Sequence, residues 1–320
     1  MAYRCLVTGG AGFIGSHLVD GLLAAGHQVR VLDNLSTADE DNLAHLAGSL
    51  RVLRGDLRDR DVTSAAMADV DVVFHLASIS SVRRSILDPV ESIDVNVRGT
   101  MQVLQMAQES GVRRVIIASS AAIYGDSDKL PLKETEPPMP LSPYAVHKLA
   151  CEHLAKVFTQ MYGLETVALR YFNVYGERQR VDAEYAAAIP RFAELLIHNE
   201  PPIIFGDGEQ TRDFIHISDA IAANLLAAES DAAVGQVFNI ASGQGASVNE
   251  VVQTLAELSG ACVAPRYEPT RVGDIRHSVA DISLARDLLG FTPRVSLHDG
   301  LARMLAARRV GEVVSGGGRV

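Results

Sequence analysis

The stretch Thr8-Gly9-Gly10-Ala11-Gly12-Phe13-Ile14-Gly15 lies between an apolar run, Tyr3 to Val7, and an amphipathic one, Phe13 to Ala25. That order reads as strand, tight turn and helix. Glycines at 9, 12 and 15 remove Cβ atoms where the turn must be sharp, where backbone must approach a pyrophosphate, and where the helix must pack closely on a sheet. The new helix N-terminus offers unpaired N–H groups and the positive end of the helix dipole to phosphates. A tight turn with no ligand would use the same residues, so the pattern alone does not decide. A second strand-like run, Gln28 to Leu32, ends in Asp33, about twenty residues past the glycines. A carboxylate there suits the hydroxyls of an adenosine ribose and repels a 2′-phosphate, which points to NAD rather than NADP; a plain turn residue before Asn34 is the other reading.

From the start of the chain to about residue 170, short apolar runs alternate with helical stretches, the pattern of an α/β fold with a doubly wound parallel sheet. Strands are predicted at 3–8, 28–32, 50–54, 71–77, 114–119 and 165–170. Their runs are mostly continuous rather than alternating, which fits strands covered on both faces. Gly55-Asp56-Leu57 follows the third, and Asp56 there could meet an adenine amino group or cap a helix. After the fourth comes His75-Leu76-Ala77-Ser78, whose small residues let a cofactor pass over the sheet edge, while His75 reads as a packed core histidine. A long segment, Asp126 to Pro143, carries Pro131, Pro137, Pro138, Pro140 and Pro143 and reads as a functional rim. Beyond residue 170, helical runs at 184–198, 218–229, 247–258 and 297–309 with short strands near 203–205 and 236–240 predict a second, smaller domain over the carboxyl edge of the sheet. Gly311 to Val320, with Gly316-Gly317-Gly318, reads as a loose tail.

Charge and cysteine usage narrow the class. The 320 residues hold 29 Lys and Arg against 39 Asp and Glu, a net charge of −10 with no basic block, which argues against nucleic acid as a partner. Cys5, Cys151 and Cys262 are far apart and set in apolar or helical patterns, as buried thiols of a reducing compartment would be, and none has a metal-ligand spacing. The N-terminus runs straight into the first strand, and no apolar run approaches the roughly 18 residues of a membrane span. A cytoplasmic protein with no membrane partner and no metal is expected.

Tyr144-Ala145-Val146-His147-Lys148 opens a helix after Pro143, with Ser142 as its cap. Tyr144 and Lys148, four apart, share a helix face. An ammonium close to a phenol favours the phenolate, an oxygen that can act as a general base. A surface tyrosine over a lysine stem has the same spacing. Ser119-Ser120, at the end of the fifth strand, can aim a hydroxyl at the same point.

The motifs TGGAGFIG, SSAAIYG, YAVHK, LRYFNVYG, GDGEQTRDFIHISD and RVGDIRHSVADIS, spread from residue 3 to about 308, together resemble the extended short-chain dehydrogenase/reductase family and, within it, the nucleoside-diphosphate-sugar 4-epimerases. The resemblance implies a Rossmann domain holding NAD through the whole catalytic cycle, here 1–172 plus 211–242, and a nucleotide-sugar-binding domain, 173–210 plus 243–310. It implies that Tyr144 takes the proton of the sugar 4-hydroxyl as hydride leaves C4, that Lys148 holds the nicotinamide ribose and that Ser120 hydrogen-bonds O4. The 4-keto sugar then turns over and hydride returns to its other face. Gly9, Gly12, Phe13, Ile14, Gly15, Asp33, Asn34, Asp56, Leu57, Ala77, Asn96 and Tyr171 match the family's NAD contacts. Asn173, Arg212, Arg271 and Asp274 match its nucleotide-sugar contacts, the arginines suiting a diphosphate that takes forked, charged donors. Family members are commonly homodimers through helices that fall here near 90–110 and 143–162.

The same resemblance separates reactions and substrates. Related 4,6-dehydratases carry an Asp-Glu pair where this chain has Ala121 and Ala122, which argues against dehydration. Ser278 stands at the position where a bulky tyrosine restricts 4-epimerases to UDP-glucose and UDP-galactose, so a serine predicts room for a 2-acetamido group. The segment GERQRVDAEYAAAIPRF resembles the N-acetylglucosamine-accepting branch. Arg191 falls near an arginine that uronate epimerases use for the C6 carboxylate, and Ser78-Ile79-Ser80 departs from the Ala and Gly of relatives. The expectation is a 4-epimerase of UDP-GlcNAc and UDP-Glc, with UDP-glucuronate as the alternative substrate and a non-catalytic NAD-binding scaffold as the reading of a different class.

Overall fold

The computed structural model describes residues 2–38, 40–48, 50–180, 188–270 and 275–316. Along the chain the strands are β1 Arg4–Thr8, β2 Gln28–Asp33, β3 Arg51–Arg54, β4 Val72–His75, β5 Arg114–Ser120, β6 Glu165–Tyr171, β7 Asn173–Tyr175, β8 Ile203–Phe205, β9 Thr211–His216, β10 Val237–Ile240, β11 Gly245–Ser247, β12 Arg266–Glu268 and β13 His277–Ser278. The helices are α1 Phe13–Ala24, α2 Arg60–Met67, α3 Val82–Leu87, α4 Pro89–Ile93, α5 Gly99–Glu109, α6 Pro143–Tyr162, α7 Ala188–Ile197, α8 Ile217–Glu229, α9 Val248–Ser259, α10 Ser283–Leu289 and α11 Leu297–Gly316.

One seven-stranded sheet has the order β10-β6-β5-β4-β1-β2-β3, with every neighbouring pair parallel. Parallel strands need crossover helices, which cover both faces and bury each strand twice over. Successive residues of β1 show this. Cys5 and Val7 pack with Val31 and Phe74 against Leu18 and Leu22 of α1 and Ala227 of α8. Leu6 points the other way, with Leu32 and Val73, toward Ala66, Val103 and Phe158 of α2, α5 and α6. The continuous apolar runs of the sequence thus have their cause in a doubly wound Rossmann sheet.

The chain winds outward through β1, β2 and β3, then returns to the opposite side of β1 as β4. The loops after β1 and β4 therefore diverge, and a crevice opens outside the carboxyl ends of the strands. A smaller sheet is centred on β9, with β11 antiparallel on one side, β13 parallel on the other and β7 parallel to its second half. Ile215 of β9 still packs into the core of the large sheet. A separate cluster of Phe192, Leu196, Ile204, Val251, Leu255, Leu301 and Met304 joins α7, β8, α9 and α11.

Several expectations need correction. Helix α11 carries on through residues 311–316, which read as part of a loose tail; once a helix is nucleated each added residue costs little, and no proline stops it before Gly316. Cys262 is exposed, unlike Cys5 and Cys151, because Gly260 ends α9 in a left-handed turn and the apolar-looking run beyond it is not helical. Of the helical run expected at 184–198, the described part is α7. The proline-rich rim is pinned to the smaller sheet, where Leu132 donates to the Val279 carbonyl and accepts from Asp281, both at 2.8 Å.

Candidate active site

Helix α6 begins as its sequence dictates. Ser142 Oγ accepts from the Ala145 N–H at 3.2 Å, Pro143 occupies the first turn, and the Tyr144 N–H donates to Ser85 Oγ at 3.1 Å. Tyr144, Lys148 and Glu152 then recur every fourth residue, one above another on one face, and all three are buried. Lys148 Nζ donates to the Ala118 carbonyl at 2.8 Å and to Ser78 Oγ at 3.4 Å, and lies 5.8 Å from the centroid of the Tyr144 ring. Glu152 accepts from Ser119 Oγ. These bonds tie the helix to the carboxyl end of β5. Ser120 closes that strand, and its Oγ accepts from the Ala122 N–H at 3.2 Å at the head of a 3-10 turn, Ala121–Tyr124. Because a hydroxyl both accepts and donates, the Ser120 O–H is left to donate.

The glycine-rich loop tests whether a dinucleotide fits. Gly9 has φ +71°, and a Cβ there would sit 2.7 Å from the Ala77 nitrogen; a Cβ on Gly15 would sit 2.1 Å from the Gly9 carbonyl oxygen. Those two glycines serve the turn and the packing of α1. A Cβ on Gly12 would meet only the Gly9 oxygen, at 3.3 Å, a mild contact beside those of Gly9 and Gly15, so the fold demands a glycine least at this position, which suits a phosphate approaching the α1 N-terminus that Phe13 and Ile14 open. Asp33 is buried and accepts from the Ala11 N–H and, within its own turn, from the Leu35 N–H, each at 2.9 Å. It braces the loop that the phosphates would meet.

Asp56 is not a helix cap. Asp59 caps α2, accepting from Asp61 and Val62, whereas Asp56 is gripped by the Arg58 guanidinium at 2.8 and 2.9 Å, which holds its carboxyl down at about 2. Asn34 donates to Asp56 at 3.2 Å, and Leu57 lies buried against Gly99. Asn96, also buried, accepts from the Ile79 N–H at 2.7 Å and donates to the Ile79 carbonyl at 3.0 Å. Its amide therefore fixes the loop after β4. The Tyr171 hydroxyl donates to Asn224 at 2.9 Å, and burial raises its pKa. His75 is a core histidine, as read from sequence: it bonds Thr8 and Thr100, and burial pushes it down to about 3.

On the side of the smaller sheet, Asn173 donates to the Asp213 carbonyl at 3.2 Å, and Arg212 donates to the Thr211 carbonyl at 2.9 Å. Ser278 pairs with Arg212 across β13 and β9 and is buried. Arg191 stands exposed on α7. Arg271 and Asp274 lie outside the described residues, as do 181–187 of the GERQRVDAEYAAAIPRF segment. Sequence reasoning missed Asp213, which is fully buried and accepts from Ser242 Oγ and from the N–H groups of Ser242, Gly243 and Ala280. Burial raises its pKa against those bonds. Its only signal was its place beside Arg212 in the run TRDFIH.

A glycine-rich β1–α1 crossing at a topological switch point, beside a buried Tyr-Lys stripe and a serine at the end of β5, defines a dinucleotide-dependent enzyme of the extended short-chain dehydrogenase/reductase type. The model of the NAD dependent epimerase/dehydratase family matches residues 5–241, and the chain belongs to that family. It is 40% identical over 304 residues to UDP-glucose 4-epimerase of Mycolicibacterium smegmatis, covering 94% of this chain and 96% of that one. UDP-N-acetylglucosamine 4-epimerase from Methanobrevibacter ruminantium M1, solved with UDP-N-acetylmuramic acid, superposes with a TM-score of 0.93 at 38% identity, covering 97% of this chain and 99% of that one. MoeE5, solved with UDP-glucuronic acid and NAD, gives 0.87 at 40% identity over 96% and 99%. The cofactor of the family is NAD.

Proposed function

We propose that this enzyme inverts C4 of UDP-hexoses, UDP-GlcNAc/UDP-GalNAc and UDP-Glc/UDP-Gal, through a 4-keto sugar. The buried stripe of Tyr144 and Lys148 beside Ser120 carries the reading. Bound NAD supplies the acceptor and donor of hydride at C4. Tyr144 takes the O4 proton and later returns it, Ser120 donates to O4, and Lys148, held by Ala118 and Ser78, keeps its ammonium beside the Tyr144 ring. Residues 1–172 plus 211–242 would hold the dinucleotide, and 173–210 plus 243–310 the nucleotide sugar, with Asn173, Arg271 and Asp274 on the UDP and Arg212 reaching it from the first of these units. Ala121 and Ala122 provide no acid or base after Ser120, which supports epimerisation over removal of water. Ser278 leaves room for a 2-acetamido group.

The test is a panel of UDP-Glc, UDP-GlcNAc and UDP-glucuronate with C4 configuration read by proton NMR. Inversion of the first two without net NADH is expected. Inversion of the uronate alone would move the assignment to that substrate and to Arg191, and bound NAD with no turnover of any would leave a binding scaffold.

The working form would be a homodimer. Val90 and Ile93 on α4 and Met101 on α5, with Val146, Val157 and Met161 along one stripe of α6, are exposed, Val90 and Met161 to 75%. Adjacent helices with such a face suit two-fold pairing with the same face of a second copy. Among the described residues no helix is long and apolar enough to cross a membrane.

A further inference from the structure

Between α4 and α5 the backbone winds as a π-helix, Asp94–Arg98, a distortion often found at functional positions. Its side chains serve two loops that flank the crevice. Asn96 holds both backbone groups of Ile79 in the loop after β4. Asp94 accepts from Arg58 Nη1 at 2.8 Å and is also bonded by Arg98. The same Arg58 nitrogen reaches Glu91 at 3.0 Å, while its other nitrogens grip Asp56 at the end of β3. One guanidinium thus joins the Asp56-Leu57 loop to α4 and the π-turn, and Leu57 packs against Gly99 where α5 begins. On their outer side Glu91, Asp94 and Arg98 share a shallow groove with Val90, Ile93 and Met101.

We propose that this π-turn couples cofactor retention to pairing with a second copy of the chain, and that Arg58 is the positioning residue through which the coupling passes. The inference rests on the homodimer and on NAD occupying the crevice, as proposed above. In a single copy the side chains of Glu91 and Asp94 are 39% and 32% exposed, so water and salt screen their hold on Arg58. Covering the groove removes that water and strengthens each ion pair. Arg58 then holds the Asp56-Leu57 loop more firmly, and Asn96, two residues from Asp94 in the same π-turn, holds the loop at Ile79. The loops after β3 and β4 are both stiffened by contacts made outside the crevice.

Linkage makes the effect reciprocal: if pairing tightens NAD binding by some factor, NAD tightens pairing by the same factor, about 10-fold or more at ordinary coupling strengths. The experiment strips the protein of NAD and measures its monomer–dimer constant by sedimentation velocity with and without NAD, then its NAD affinity below and above that constant. The wild-type factors are expected to agree. Arg58→Met is expected to keep both binding events and bring the factor close to one, with Asp94→Asn giving an intermediate value should Arg58→Met fold poorly. Val90→Glu, on the outer face, is expected to give a monomer whose NAD affinity equals that of the dilute wild type. A dimer whose pairing ignores NAD, or Arg58→Met with the full factor retained, overturns the coupling and leaves the dimer standing. A monomer at every concentration overturns the dimer and the coupling together.

Discussion

Glu152 on α6 and Arg170 on β6 meet through two parallel bonds of 2.8 Å, Nε to Oε1 and Nη2 to Oε2, with their side chains only 5% and 6% exposed. Arg170 Nη1 also donates to the Tyr124 hydroxyl at 2.8 Å, and Glu152 also accepts from Ser119. The helix of Tyr144 and the strand and turn around Ser120 are thereby locked into one register. Glu152→Gln keeps the shape but leaves a buried guanidinium without its counter-charge, so it is expected to cost about 3–5 kcal/mol. Urea unfolding measures this. Adding Arg170→Met to it should restore part of the loss, and a single-variant cost under about 1 kcal/mol would contradict this role for the pair.

Gly12 and Gly15 are expected to fail differently. A Cβ on Gly15 collides with the Gly9 carbonyl at 2.1 Å, backbone against backbone, so Gly15→Ala should destabilise the fold by at least about 1–3 kcal/mol. Gly12 lies in ordinary extended backbone, φ −72° and ψ 177°, and a methyl group there would meet only the Gly9 oxygen at 3.3 Å, a contact relieved if the loop gives by a few tenths of an ångström. Gly12→Ala should therefore melt close to wild type yet bind NAD at least about tenfold more weakly. Thermal unfolding and NAD titration separate the two, and unchanged affinity in Gly12→Ala would show that the phosphates do not approach there.

Acid should unfold this protein partly through its histidines. Burial holds His75 down at about 3 and also lowers His17, His147 and His216. In the unfolded chain each returns to about 6.5. As pH falls below that value the unfolded state binds protons the folded state refuses, so stability is full above about pH 6.5 and declines below it. Each such histidine adds a slope of up to about 1.4 kcal/mol per pH unit. The urea midpoint at pH 5 should lie below that at pH 7, and His75→Gln should take up about one proton fewer on unfolding at pH 5. Equal midpoints at the two pH values would exclude the effect.

The large sheet was legible because most of its first six strands are near-continuous apolar runs separated by helical ones, the edge strand β3, RVLR, being the exception. β10 was visible as a run, but nothing in it says that it pairs with β6 rather than with its neighbours in sequence. The smaller sheet was largely hidden: β7 and β11 are three residues long and β13 two, too short for any period to register, and β9 is half polar. The Tyr144-Lys148 spacing was readable because a helix fixes it locally. Asp213, Arg58 and the true partner of Asn96 were not, since each is defined by residues at least 17 positions away or by several carboxylates at once.

Ser278 sits opposite Arg212 in a strand pair and is buried, so a larger side chain there must project into neighbouring space. Ser278→Tyr should therefore impair UDP-GlcNAc far more than UDP-Glc, by about 10-fold or more in kcat/KM, the scale of losing a fitted group in a closed pocket. Steady-state rates with both sugars decide it. Equal losses would mean that Ser278 does not face the 2-substituent.

Tyr144→Phe removes one oxygen from a side chain that is otherwise held by packing and by its own N–H on Ser85, so the helix and its Lys148 anchor to Ala118 should persist. General-base catalysis typically supplies about 10²–10⁴-fold, and in the proposed reaction the same oxygen both accepts the O4 proton and gives it back. Turnover should fall by at least that factor while NAD and UDP-sugar affinities stay within about threefold, because the lost interaction is made only as the proton moves. A fall in affinity with turnover preserved would assign Tyr144 to binding, and the proton would then need another acceptor within reach of Ser120.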